Sequence, residues 1–89
     1  MTTRIPLIAG NWKMYKTGTE AVAAAKSLTK LVASASDVDV MIAPPFTALS
    51  AVNDVLQGSL IAIGAQNLHW ESEGAFTGEI APGMLKAIG

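Results

Sequence analysis

Cysteine is absent from the 89 residues, and histidine occurs once, as His69. Without cysteine the chain can form neither a disulfide framework nor a thiolate metal site. A single histidine also argues against a metal site built from imidazoles. The composition therefore excludes disulfide-stapled domains and argues against the common zinc-binding modules.

Clusters of positive charge and long apolar runs are also missing. Six basic and seven acidic residues give a net charge of −1, whereas nucleic-acid binders normally present a basic face. No run of Lys and Arg is available to dock on anionic lipid, and no stretch approaches the roughly 20 apolar residues of a membrane span. The short apolar run near the N-terminus is soon interrupted by Asn11, Trp12 and Lys13, which argues against a secretory signal. We expect a cytoplasmic protein with no nucleic-acid or membrane partner.

Apolar residues are plentiful enough for a hydrophobic core. They make up 51% of the chain and charged residues 15%, which is not the composition of a disordered protein. A chain of this length is one small domain or a piece of a larger one, and any core it builds alone is marginal.

Strand and helix patterns alternate along the chain. Apolar runs bounded by turn residues predict strands at 5–12, 38–43 and 60–65. Thr17 and Glu20 have the spacing of a capping box, and the apolar stripe that follows predicts a helix ending near Ala33. A second helix is predicted from about Thr47 to the stop at Gly58, and a third at 82–88 with a proline in its first turn. Residues 66–79 form a polar loop.

This order of elements predicts an α/β fold with a parallel sheet and right-handed crossovers. Three helices can all lie on one face of three strands. The other face, which we expect to carry Ala9, Met41 and Ile63, would then lack a cover. An open doubly wound sheet is possible, but the start of a closed barrel is the more economical interpretation.

Asn11 and Lys13 follow the first predicted strand. Side chains alternate along a strand, so the two are predicted to share a face at the carboxyl end, where α/β folds bind ligands. An ammonium beside an amide suits an anionic substrate such as a phosphate or an enolate oxygen. The alternative is a solvated lysine and a turn asparagine at the end of an edge strand.

Two further segments follow the third predicted strand. Gln66 and Asn67 could hydrogen-bond the Asn11 and Lys13 region across the strand ends, but taken alone this motif favours a simple turn. The loop at 74–79 brackets Phe76 and Thr77 with glycines, and long loops without their own elements are usually functional. The alternative is an ordinary surface loop with Phe76 against the core. His69, beside Trp70, is interpreted as a surface or packing residue rather than a catalyst.

Four motifs in order resemble the N-terminal third of the triosephosphate isomerase family. They are AGNWKM at 9–14, APP at 43–45, GAQN at 64–67 and GAFTGEIAP at 74–82. The resemblance runs from Ile5 to Gly89. It implies that residues 1–89 are a partial TIM-barrel domain: the first three βα units of a (β/α)₈ barrel, about one third of the whole.

The resemblance also implies an activity and its residues. The family interconverts dihydroxyacetone phosphate and glyceraldehyde 3-phosphate through an enediolate, with no metal or organic cofactor, and works as a homodimer. Asn11 and Lys13 match its substrate-binding pair, with Lys13 catalytic. Phe76, Thr77 and Gly78 match the loop that contacts the partner subunit.

Some family features are missing from these 89 residues. The catalytic histidine, the glutamate base and the later phosphate loops are absent, so we expect the chain to be an inactive fragment by itself. A serine that commonly caps the third helix is replaced by Ala81. The alternative function is a small non-catalytic α/β module that binds an anion or associates with itself.

Overall fold

Three parallel strands and three helices alternate in the computed structural model, which describes residues 3–89. In chain order they are β1 (Leu7–Asn11), α1 (Gly18–Leu31), β2 (Asp39–Ala43), α2 (Phe46–Leu56), β3 (Ile61–Ile63) and α3 (Pro82–Ala87). All six predicted elements form, although each strand is shorter than predicted. No helix in the described part of the chain is both long and apolar enough to cross a membrane.

The sheet has the order β1-β2-β3, and both pairs of neighbours are parallel. Gly10 lies opposite Ile42, which in turn lies opposite Ile63. Helices α1 and α2 pack on each other and on the face of the sheet that carries these three residues. Their contact forms the core cluster, which contains Ala21, Ala25, Ile42, Ala48, Val52, Leu56 and Ile61. The first two βα units therefore supply most of the hydrophobic core.

Among residues 3–89, no helix lies on the opposite face of the sheet. Ala9, Met41 and Ala62 are register neighbours across the three strands of this open face. The prediction that Ile63 lies here is wrong, because Ile63 packs against the helix-side cluster. Side chains alternate along a strand, so with Ile61 buried under the helices Ala62 must point the other way. The run around β3 is apolar throughout and gave no sign of which residues face the helices.

Glu20 fastens the first turn of α1, as the capping-box spacing predicted. Its carboxylate accepts hydrogen bonds from the backbone N–H and the hydroxyl of Thr17, both at 2.9 Å. The backbone bond and then the hydroxyl bond lower the pKa of Glu20 below its ordinary value of 4.5, with a smaller attraction from Lys16. The acidic side chain also lies at the positive end of the helix dipole.

This pairing makes the start of α1 sensitive to acid. Because the pKa of Glu20 is lower in the folded state, its stabilisation is present above the unfolded-state pKa and is lost as the pH falls through the folded-state value. An NMR titration of these residues within a complete, folded barrel should give an apparent pKa below 4.5 for Glu20. Thr17→Val removes the hydroxyl donor and should move that pKa upward. A Glu20 pKa at or above the ordinary value would contradict the pairing.

Helix α3 begins without a side-chain cap. Ala81 occupies the N-cap position in an extended conformation and makes no side-chain hydrogen bond, and Pro82 follows it in the first turn. The methyl group of Ala81 cannot accept a hydrogen bond from the free backbone N–H groups of that turn. The helix is also short, with none of its own residues buried.

Ala81→Ser is therefore expected to stabilise the fold. A serine at the N-cap typically adds about 1 kcal/mol, because its hydroxyl accepts from the first turn. The measurement is the free energy of unfolding in denaturant, compared between a folded parent protein and its Ala81→Ser variant. Ala87→Ser, at the other end of the same helix, is the matched control and should change the free energy of unfolding by less than about 0.5 kcal/mol. Equal effects at both positions would show that capping is not the cause.

Candidate functional site

Lys13 lies in a tight turn at the carboxyl end of β1. Its backbone N–H donates to the Oδ1 of Asn11 at 2.8 Å, and the N–H of Tyr15 donates to the carbonyl of Trp12 at 3.2 Å. Lys13 has a φ of +54°, in the left-handed region that costs a non-glycine residue roughly 1–3 kcal/mol. The turn is an uncommon conformation that specific contacts must hold.

The prediction that Asn11 and Lys13 share a face of the strand is wrong. The strand ends at Asn11, so strand alternation does not extend to Lys13. The amide oxygen of Asn11 accepts from the backbone N–H of Lys13. Asparagine side chains commonly hydrogen-bond the backbone two residues further on, and this preference could have predicted the contact from the sequence. Trp12 packs against the core on the helix side.

Gln66 joins this turn to the other two strands. Its side-chain amide follows β3 and donates to the carbonyl of Lys13 at 2.9 Å and to that of Ala43, the last residue of β2, at 2.8 Å. The Ala43 carbonyl accepts in addition from the N–H of Trp12 at 3.0 Å. The pattern around Gln66 favoured a simple turn, whereas the structure shows the hydrogen bond across the strand ends. One amide thus fastens the carboxyl ends of all three strands.

The side chain of Asn67 contacts the long loop that follows β3. Its amide donates to Oε2 of Glu79 at 2.9 Å, and the Glu79 N–H donates to the carbonyl of Phe76 at 3.0 Å. The backbone N–H of His69 donates to the carbonyl of Ile80 at 2.8 Å. These bonds close the long loop at its base, so the loop is ordered by its own contacts.

The rings in this loop stack on one another. The His69 ring lies against Trp70 at a centroid distance of 4.7 Å and against Phe76 at 4.3 Å. Its Nδ1 accepts from the backbone N–H of Glu71 at 3.0 Å. His69 is thus a packing residue of the loop, in line with the sequence interpretation. Phe76 is 48% exposed, so it packs on its own loop rather than into the core.

Thr77 and Gly78 form the exposed turn that follows Phe76. Gly78 has a φ of +85°, a conformation that glycine adopts without strain. The turn leaves both residues available for contact with another surface. Their predicted role at a subunit interface stays a prediction.

The strand ends offer one lysine and two amide side chains to a ligand. Lys13, Asn11 and Gln66 lie at or just beyond the carboxyl ends of β1 and β3, the edge where α/β proteins hold their ligands. Within residues 3–89, no three histidine or acidic side chains come together in a way that would hold a metal ion. A lysine ammonium beside amide groups is chemistry that can bind a phosphate or an oxyanion.

A parallel sheet with helices on one face, an uncovered opposite face and polar groups at the strand ends is the arrangement that part of a βα barrel presents. A family model described as triosephosphate isomerase matches residues 6–89. The chain belongs to the triosephosphate isomerase family.

Individual relatives agree with this assignment. The chain is 56% identical over 86 residues to a triosephosphate isomerase from Carboxydothermus hydrogenoformans and 52% identical to one from Chloroflexus aurantiacus. Each match covers 97% of this chain and 34% of the relative. A crystal structure of triosephosphate isomerase from Bartonella henselae superposes with a TM-score of 0.77 at 38% identity, covering 94% of this chain and 34% of that one. The chain spans about a third of the length of the relatives it matches, and the predicted barrel fold is confirmed.

Proposed function

We propose that this chain forms the first third of a triosephosphate isomerase barrel and supplies that enzyme's anion-binding lysine. The reaction interconverts dihydroxyacetone phosphate and D-glyceraldehyde 3-phosphate, a step of glycolysis and gluconeogenesis. The observation that carries the proposal is the Lys13 turn at the strand ends, in a chain that matches the family from residue 6 to residue 89. The site residues need no organic cofactor or metal for the role proposed.

We assign to Lys13 the role of stabilising the negative charge on the substrate phosphate and on the enediolate. A proton leaves one carbon of the triose phosphate, an enediolate forms, and a proton returns to the neighbouring carbon. The substrate phosphate is anionic throughout, while the enediolate oxygen gains negative charge only during the reaction. An ammonium fixed near both stabilises the transition state more than the ground state. Asn11 holds the Lys13 backbone and places its amide beside the substrate.

The remaining catalytic groups belong to the rest of the barrel. The glutamate base and the histidine that polarises the carbonyl, expected from the family resemblance, are not among these 89 residues. His69 does not replace that histidine, because it is engaged in the loop stack with Phe76. Proton transfer without a positioned base is slow, so this chain needs the remaining two thirds of a barrel for activity.

The partner contacts of the proposed enzyme involve the long loop. Phe76, Thr77 and Gly78 are exposed and lie in a loop ordered by its own hydrogen bonds. A rigid, exposed turn suits a contact between the two subunits of a homodimer, because little ordering entropy is lost on binding. We propose that the enzyme is a cytoplasmic homodimer that acts on a small phosphorylated sugar and has no nucleic-acid or membrane partner.

A hybrid protein tests the function directly. The matching third of the Carboxydothermus relative is replaced by residues 1–89 of this chain, and isomerisation is measured in a coupled assay. The hybrid should interconvert the two triose phosphates, whereas residues 1–89 alone and the shortened relative alone should not. A folded hybrid without activity would contradict the proposal and favour the non-catalytic module.

A further inference from the structure

We infer that Gln66 is a positioning residue for Lys13, an inference that rests on the proposed role of that lysine. The Gln66 amide donates to the Lys13 carbonyl at 2.9 Å from a position 53 residues further along the chain. The other backbone group of the same residue, its N–H, is held by Asn11 at 2.8 Å. Lys13 is thus fixed on both sides by side-chain amides.

The conformation of Lys13 explains why two such contacts are needed. A φ of +54° is unfavourable for a residue with a Cβ, and such conformations persist only where the surroundings hold them. If the turn relaxed, the direction of the Cα–Cβ bond would change, and the long lysine side chain would start from a different place. A shift of about 1 Å in a catalytic group can cost up to 100-fold in rate. Gln66 prevents this relaxation on the carbonyl side of the turn.

The pairing of the strands does not depend on Gln66 in the same way. β1 and β2 are joined by their backbone ladder, and the Trp12 N–H donates to the Ala43 carbonyl at 3.0 Å beyond the end of β1. Replacing Gln66 leaves this bond in place but removes the hydrogen bond that the Lys13 carbonyl accepts from across the sheet. The contribution of Gln66 to catalysis can therefore be separated from its contribution to folding.

The test is a double-mutant cycle in the hybrid defined above. Gln66→Glu places a carboxylate against two carbonyl oxygens and should lower kcat/KM by roughly 10- to 100-fold. In the Lys13→Met background, the same change should cost less than about 2-fold, because a residue that acts through Lys13 has nothing left to position. The kcat/KM of the Gln66→Glu hybrid, relative to its parent, should rise as the pH is lowered, since a protonated carboxyl regains one donor.

Gln57→Glu is the matched control. Gln57 also donates its amide to a backbone carbonyl, that of Asn53 at 3.1 Å, but at the end of α2. This variant should leave kcat/KM and its pH profile unchanged. Folding of each variant is followed by circular dichroism. If Gln66→Glu does not fold, the double-mutant cycle is repeated with Gln66→Met, which removes the hydrogen-bond donor without adding charge.

Four outcomes would overturn the inference, the last of them by removing the role of Lys13 on which it rests. Equal losses from Gln66→Glu with and without Lys13 would show that Gln66 acts independently of the lysine. Full activity in both folded Gln66 variants would show that the hydrogen bond is dispensable, and failure of both to fold would make Gln66 a purely structural residue. If Lys13→Met alone left the activity unchanged, the proposed role of Lys13 would fail, whatever Gln66 does.

Discussion

Lys13→Met in the folded hybrid should lower kcat/KM by about 10²–10³. Methionine keeps much of the length and the apolar stem of lysine but removes the ammonium. The lost charge is the one proposed to meet the phosphate and the growing charge of the enediolate, and preorganised charge counts most in the transition state. Because Lys13 is exposed, the substitution should leave the fold intact.

Lys16→Met is a closely matched control for this prediction. Lys16 is also exposed and also has a positive φ, +78°, but it lies beyond the turn that Asn11 and Gln66 hold. It should keep near-normal kcat/KM. Steady-state kinetics with circular dichroism on both variants is the measurement. Near-normal turnover in a folded Lys13→Met protein would refute the role assigned to Lys13.

The 89-residue chain by itself is expected to associate or to remain loosely packed. A compact protein of 9.2 kDa exposes about 4,900 Å², whereas this chain exposes 6468 Å². The excess includes large apolar side chains, among them Leu7 at 61% and Ile8 at 56% exposure. β1 and β3 are also open edges, which template further strand pairing. A net charge of −1 opposes association only weakly.

Analytical ultracentrifugation and thermal melting measure this state. We expect masses above that of the monomer, or a broad transition that depends on concentration. Ala62→Lys, on the open face of the sheet, should reduce association, whereas the control Ala23→Lys, on an exposed position of α1, should not. A sharp, concentration-independent melt at monomer mass would show instead that these three βα units close a stable core unaided.

Local signals in the sequence predicted the elements well because each has a short-range physical cause. The spacing of Thr17 and Glu20 specifies a capping box, and Gly58, with a φ of +78°, provides the left-handed residue that follows the end of α2. The alternation of strands and helices specifies a parallel sheet. The motif around Lys13 pointed to the family and to the carboxyl end of β1 as the candidate site.

The sequence by itself therefore determined the order of the elements, the capping box of α1, the parallel sheet and the family resemblance. The tertiary structure decided what depends on packing and on contacts between distant residues. Ile63 faces the helices because Ile61 and Ile63 alternate with Ala62, a choice that an unbroken apolar run leaves open. Gln66 reaches Lys13 across 53 positions of sequence, and the left-handed turn it holds is uncommon for a lysine. Neither follows from local preferences, because both exist only once three strand ends have been brought together.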